Sequence, residues 1–259
     1  MISRDVILQR LYTKIYMMNS DQKTIKTYNK IAKEYAARGY SNPLFWHREF
    51  KIFQKLISGK KIIDIGCGSG KDALLFIKNK FDYIGIDASS GLLREARKFI
   101  NPVREPHSLN PSRNLFLTGS ALKNSNHQLK SVAFSNGVKS GKFILMNFYK
   151  LNFPRNHFDG FWAAASLLHI PKRRVAKVLR AIRKIIKPQG VGFIALKEKR
   201  HLDEGIIKEK KHGGIERYFA FYTKSEFKKI LEQNGFEILK NHIRQEEDTN
   251  WLCYFVKKI

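Results

Sequence analysis

The sequence predicts an α/β fold: a doubly wound, mostly parallel sheet, an N-terminal helical cap and a C-terminal antiparallel hairpin. Two observations carry this. From Lys61 onward, short β-branched or aromatic runs alternate with apolar-striped helical stretches. The first of these strand–helix junctions is a glycine cluster, Gly66, Gly68 and Gly70. Strands that alternate with helices form parallel sheets, because each crossover helix covers a sheet face.

The elements follow in order. Residues 1–20 read as a basic lead-in, a short helix or disordered, and Met17-Met18 offers a second start for the functional chain. Ile25, Tyr28, Ile31, Ala32 and Tyr35 recur at helical spacing over 21–38, with Gly39 as the stop. Leu44–Ile57 is a second helix. Strands are expected at Lys61–Ile65, Tyr83–Ile86, Phe143–Met146, Phe158–Ala164 and Val191–Leu196, and helices at Lys71–Asn79, Gly91–Ile100 and Lys172–Ile186. Pro188-Gln189-Gly190 reads as the stop after the last of these helices. Thr223 and Glu226 form the signature of a capping box opening a helix to Asn234. Phe236–Leu239 and Trp251–Val256 close the chain as a hairpin. Residues 101–141, rich in Asn, Ser, Pro, Gly and Lys, break the rhythm and read as an inserted loop in a single domain over 21–259.

Composition narrows the function. The 259 residues are 43% hydrophobic, enough for a full core. No stretch approaches the roughly 18 apolar residues of a membrane helix. The two cysteines, Cys67 and Cys253, form no CxxC pair, so neither a zinc site nor a disulfide framework is expected, and a reducing, cytoplasmic setting fits. The net charge of +27 has two readings. Lysines spread along the whole chain fit a composition bias; a basic surface also attracts polyanions such as RNA.

The loop Asp64-Ile65-Gly66-Cys67-Gly68-Ser69-Gly70 is the most specific signal. It follows a strand and opens a helix, so its amides face a ligand. A triphosphate loop needs GxxxxGK[ST], but Ile65 stands at the first glycine and Asp72 follows Lys71. The dinucleotide fingerprint GxGxxG fails at Lys71, and the hydrolase GxSxG fails on both sides of Ser69. What remains is an acid followed by GxGxG. The acid suits a ligand carrying an ammonium group and would repel a pyrophosphate. Asp87 ends the second strand about 20 residues on, where nucleoside binders place a ribose acid. Ala88-Ser89-Ser90 also makes it a helix-cap candidate.

These residues resemble the first motifs of the class I S-adenosylmethionine (SAM) dependent methyltransferases, Rossmann-like enzymes. Asp159 to Pro171 is similar to their fourth-strand segment, and Lys187-Pro188-Gln189-Gly190 to their "LKPGG" turn. Arg217-Tyr218-Phe219 and Tyr222-Thr223 resemble their C-terminal section. The resemblance spans roughly residues 24–259 without 101–141.

It implies SAM as cofactor, held by Asp64, Gly66, Cys67, Gly68, Asp87, Ala88, Asn147, Phe148 and Ala164. Asn147 stands where the family usually has Asp facing the adenine amine; an amide oxygen still accepts. Methyl transfer by in-line displacement needs no metal, and none is expected. His169, after the fourth strand, is the catalytic candidate, with packing as its alternative. Tyr28 and Tyr35, seven residues apart on one helix face, are candidates to face substrate, or else core residues; Tyr218 and Arg217 are further candidates. Ala163-Ala164-Ala165-Ser166 replaces the [DNS]-P-P-[YFW] of amino-methylating DNA enzymes. A small-molecule acceptor is expected. The alternatives are an RNA (tRNA) acceptor, or a non-catalytic nucleic-acid-binding protein on the same fold.

Overall fold

The computed structural model describes residues 4–100, 141–209 and 214–259, with side chains from residue 21. The insertion expected at 101–141 lies outside the described residues except for Gly141.

A seven-stranded sheet forms the centre, in the order β3-β2-β1-β4-β5-β9-β8. Its strands are β1 (Lys61–Ile65), β2 (Asp82–Asp87), β3 (Lys142–Leu145), β4 (Phe158–Ala164), β5 (Ile186–Lys197), β8 (Phe236–Glu246) and β9 (Thr249–Lys258). The first five pair in parallel; β9 runs antiparallel to both β5 and β8. The mostly parallel sheet and the terminal hairpin are therefore as the sequence predicts.

Strand periodicity sorts the core onto two faces. Ile63, Ile65, Phe161 and Ile194 face one cluster, packed with Val178, Leu179 and Ile182 of α5 (Lys172–Ile185). Ile62, Trp162 and Phe193 face the other, with Phe50 and Phe53 of α2 (His47–Leu56) and Phe76 of α3 (Ala73–Lys78). The capping box of α6 (Lys224–Gln233) forms: Glu226 N donates to Thr223 Oγ1 at 3.1 Å, and Thr223 N to Glu226 Oε2 at 3.2 Å.

Three expectations change. The helix expected over 21–38 belongs to one long α1, Arg4–Ser41, which passes through Gly39. Pro188-Gln189-Gly190 does not separate a helix from a strand. Ile186 already pairs with Phe158 and Val191 with Gly160, so the turn, with Gln189 at φ 62°, bulges out of β5. Between β5 and α6, β6 (Glu204–Glu209) and β7 (Ile215–Ala220) form a separate antiparallel ribbon. Their mixed polarity gave no strand signal, because part of each faces a cavity rather than the core.

The ribbon and α4 (Ser90–Ile100) hold α1 across the carboxyl ends of the parallel strands. Thr27 Oγ1 donates to Glu216 O at 2.9 Å, and Tyr218 N donates to Thr24 Oγ1 at 2.9 Å. Asn29 Oδ1 accepts from Ser89 Oγ and Gly91 N, both at 2.8 Å. Tyr40 Oη donates to Ser69 O at 2.8 Å, and its ring stacks on Phe99 with centroids 3.8 Å apart. Among the described residues, no helix is long and apolar enough to cross a membrane.

Gly91 tests this attachment. A Cβ there meets Asn29 Cα and O at 3.0 Å, and backbone has little room to give. Gly91→Ala is expected to lower stability by about 1–3 kcal/mol in urea unfolding. The neighbouring exposed change Ser90→Ala should stay within about 0.5 kcal/mol.

Candidate active site

The carboxyl ends of β1, β2, β4 and β5, roofed by α1, enclose a cavity of about 370 Å³. Open α/β sheets bind ligands at this edge. Its wall includes Asp64, Gly66, Cys67, Gly68, Asp87, Ala88, Asn147, Phe148 and Ala164, so all nine residues expected at a cofactor line one space.

The glycine loop is built for close approach. Gly66 and Gly68 sit at φ 81° and 54°, which favours glycine. A side chain at Gly66 would collide with Ser166, whereas a Cβ at Gly68 meets nothing within 4 Å. The loop is tied to the next strand by Asp87, whose Oδ2 accepts from Gly68 N at 3.0 Å and whose Oδ1 accepts from Ser89 N at 2.8 Å. The two readings of Asp87 are thus compatible: it braces the start of α4 and still faces the cavity. Burial pushes its carboxyl up to about 6, against the pull of those amide donors.

Asp64 is buried and accepts from Tyr83 Oη at 2.7 Å. Burial raises its pKa well above the usual carboxylate range, and the nearby Asp72 raises it further. Asp72, also buried on the cavity wall, accepts from Trp162 Nε1 at 3.0 Å. The sequence reading passed over Asp72; its one signal is its position two residues beyond Gly70. At the far side of the loop, Asn147 Oδ1 accepts from Tyr149 N at 2.9 Å, so this amide is oriented by its own turn.

The opposite end of the cavity carries a second constellation. Tyr28 and Tyr35 of α1 meet edge to face, with centroids 5.1 Å apart, and both line the cavity. His169, the last residue of a 3-10 turn at Leu167–His169, bonds on both ring nitrogens: Nδ1 lies 2.6 Å from Tyr218 O and Nε2 2.8 Å from Tyr28 Oη. A carbonyl only accepts, so Nδ1 carries the proton and Nε2 accepts from the tyrosine. Arg217 donates through Nη1 to Tyr28 Oη. Arg217 is in turn paired with Glu209, Nε to Oε2 being 2.7 Å. Lys197, at the end of β5, pairs with Glu209 at 3.5 Å and lies over the Phe219 ring at 4.4 Å.

Burial, then the Arg217 charge, push the His169 imidazole down to about 3. Burial likewise lifts the Tyr28 hydroxyl well above its ordinary value. Both side chains are therefore neutral around pH 7.

Tyr218 does not reach this space. Side chains alternate along β7, so Arg217 and Phe219 face the cavity while the Tyr218 ring turns into the core and its hydroxyl bonds Glu204. Of the two candidates on β7, Arg217 lines the cavity; sequence reasoning missed Lys197 and Glu209. Lys197 had a usable signal as the residue at the carboxyl end of a parallel strand; Glu209 sits on the unrecognised ribbon.

One cluster of metal-type side chains occurs among the described residues. Glu49, His242 and Cys253 bring ligand atoms within 4.8 Å of one another, but Glu49 is already paired with Arg244 at 2.9 Å.

Comparison with known proteins settles the family. Residues 38–241 match the family model described as a methyltransferase domain. The chain belongs to that family and is a SAM-dependent methyltransferase. It is 23% identical over 189 residues to an O-methyltransferase of Aspergillus nomiae, covering 71% of this chain and 67% of the relative. A SAM-dependent methyltransferase structure from Methanosarcina mazei superposes with a TM-score of 0.62 at 20% identity, covering 80% of this chain and 97% of that one. An N1-methyltransferase of Burkholderia thailandensis, bound to 1,6-didemethyltoxoflavin and S-adenosylhomocysteine, gives 0.54 at 15% identity over 96% and 89% of the two chains.

The residues present fit SAM. Ser166 Oγ and Asp72 Oδ1 are buried atoms of cavity-lining residues without a hydrogen-bond partner among the described residues. Carboxylates at the loop end suit a cationic ligand, and the space above Gly68 is open.

Two outcomes follow. A protonated Asp87 accepts fewer hydrogen bonds, so SAM affinity measured by calorimetry should fall as pH drops through about 6. In Asp87→Asn that step should vanish, with affinity about 10–100-fold weaker at pH 8. In proton NMR, His169 should stay neutral from pH 8 to below 5, whereas a free imidazole titrates near 6.5.

Proposed function

We propose that the methyltransferase modifies a small molecule, at the end of the cavity framed by Tyr28, Tyr35, His169 and Arg217. The observation that carries this reading is the continuity of one cavity. The glycine loop and Asp87 stand on one side, an aromatic and cationic recess on the other, and α1 covers both. A recess of this kind suits an acceptor that is drawn in whole. The A. nomiae relative is an O-methyltransferase by name, and the B. thailandensis structure holds a small acceptor. Both support the same substrate class here.

In this reading Asp87 accepts from the ribose hydroxyls, and Asp64 and Asp72 face the amino-acid end. Asn147 and Phe148 border the adenine, with Cys67, Ala88 and Ala164 completing the wall. SAM supplies an activated methyl group on a sulfonium. The chain supplies orientation and exclusion of water, the main contributions available to an in-line bimolecular transfer. His169 acts as a positioning residue: its neutral ring fixes the Tyr28 hydroxyl, which Arg217 also holds. Removing the imidazole lets Tyr28 swing.

The test is a screen with methyl-labelled SAM over two pools, a metabolite extract and total RNA. Label is expected in small molecules, with His169→Asn lowering turnover about 10–100-fold, the scale of a misplaced reactant. Label in RNA alone would overturn the small-molecule reading and make the +27 charge an RNA-binding feature.

A further inference from the structure

The two sides of α5 are unlike. Val175, Val178, Leu179, Ile182 and Ile185 are buried in the core on one side. The exposed positions of the helix are Arg173, Lys177, Arg180, Arg183 and Lys184, and every one is a cation. Arg173, Lys177, Arg180 and Lys184 recur at i, i+4, i+7 and i+11. They therefore stand in single file on one helix face, over about 16 Å. Ala176 and Ala181 are half-buried on either side of the file, and such small side chains let a partner's backbone come close. Helix α1 differs: beside Lys26, Lys30 and Lys33 it exposes Gln22, Glu34 and Ala37.

The acids around α5 meet its flanks. Lys172 holds Asp203 at 2.6 Å and Glu226 at 2.7 Å, and Arg174 holds Asp21 at 2.6 Å. Beyond the helix, Lys187 pairs with Asp159 at 2.6 Å; on α6, Glu232 pairs with Lys228 at 3.8 Å. Arg180 is oriented by a neutral amide, Asn234 Oδ1 at 3.1 Å, and Arg183 by Ile259 O at 2.9 Å. Residues 1–20, 101–140 and 210–213 contain two acids, Asp5 and Glu105, fewer than the cations of the file.

We propose that the exposed face of α5 docks a nucleic-acid duplex along its phosphate backbone, without reading its bases. The cavity wall is drawn from other elements, so a duplex on α5 is a partner and not the methyl acceptor. One sign of charge sustained over about 16 Å matches a duplex, which carries one phosphate charge per about 1.7 Å of its axis. Single strands are held in addition by stacking bases on aromatic rings, whereas the exposed positions of α5 are cations alone. A lipid surface takes up a helix by its apolar side, and that side of α5 is already in the core.

The experiment titrates the full chain into a fluorescein-labelled RNA duplex of about 20 base pairs, longer than the file, and reads anisotropy at several salt concentrations. Four phosphate contacts give a slope of log K against log salt of about −3 to −4. Lys177→Gln/Arg180→Gln/Lys184→Gln is expected to weaken binding at least about tenfold at about 100 mM salt and to flatten the slope by about 2–3. Lys26→Gln/Lys30→Gln/Lys33→Gln removes the same net charge from α1 and should change the affinity less than about threefold. Circular dichroism checks that both triples are folded. Arg173→Gln, one charge fewer, should flatten the slope by about 0.9 and carries the test if the α5 triple unfolds. Equal losses in the two triples overturn the inference and make the attraction a diffuse effect of the +27 charge. A wild-type chain that leaves the duplex unbound overturns it as well. So does α5-dependent binding to phosphatidylserine vesicles or polyglutamate in place of the duplex.

Discussion

The hydrogen bond from the Gly68 amide to the Asp87 carboxylate ties the loop after β1 to the end of β2. Much of the site depends on it. It sets the glycine loop against β2, and the left-handed turns at Gly66 and Gly68 then open the space above the loop. The same carboxylate braces Ser89, whose hydroxyl meets Asn29 of the roofing helix. One half-buried acid therefore links floor, wall and roof. Its ionised form is disfavoured by burial and retained by amide donors, which leaves it poised near pH 6.

The roof explains how one cavity reaches from the glycine loop to the ribbon. Helix α1 is fastened at Asn29 and Tyr40 to α4 and the loop, and at Thr24 and Thr27 to the ribbon. Between these anchors it presents Tyr28 and Tyr35 downward. The ribbon answers with Arg217 and Phe219, and β5 with Lys197. Asp64, Asp72 and Asp87 stand on the glycine-loop side of the cavity, and Lys197, Glu209 and Arg217 on the ribbon side.

The parallel core was legible because its signals are local. Lys61–Ile65 and Phe158–Ala164 carry their burial in the run itself, and the glycine loop needs those residues at those spacings. Asp64 and Asp87, expected at a cofactor from the same spacing, both line the cavity. The ribbon was not legible. Glu204–Glu209 alternates poorly because Glu209 serves the cavity, and a two-stranded ribbon owes its register to packing against α1. Without the ribbon the parity of β7 was hidden, so the sequence could not separate Arg217, which faces inward, from Tyr218, which does not. His169 was found by its place after β4, but its role lies in contacts from residues 141 and 49 positions away, which no spacing reveals.

A structure of the protein with bound S-adenosylhomocysteine tests the central claim most directly. The account predicts the ribose hydroxyls on Asp87, the amino-acid end beside Asp64 and Asp72, the adenine between Asn147 and Phe148, and the sulfur facing the Tyr28–Arg217 recess. A ligand bound outside this cavity, or reversed within it so that the ribose misses Asp87, would contradict it.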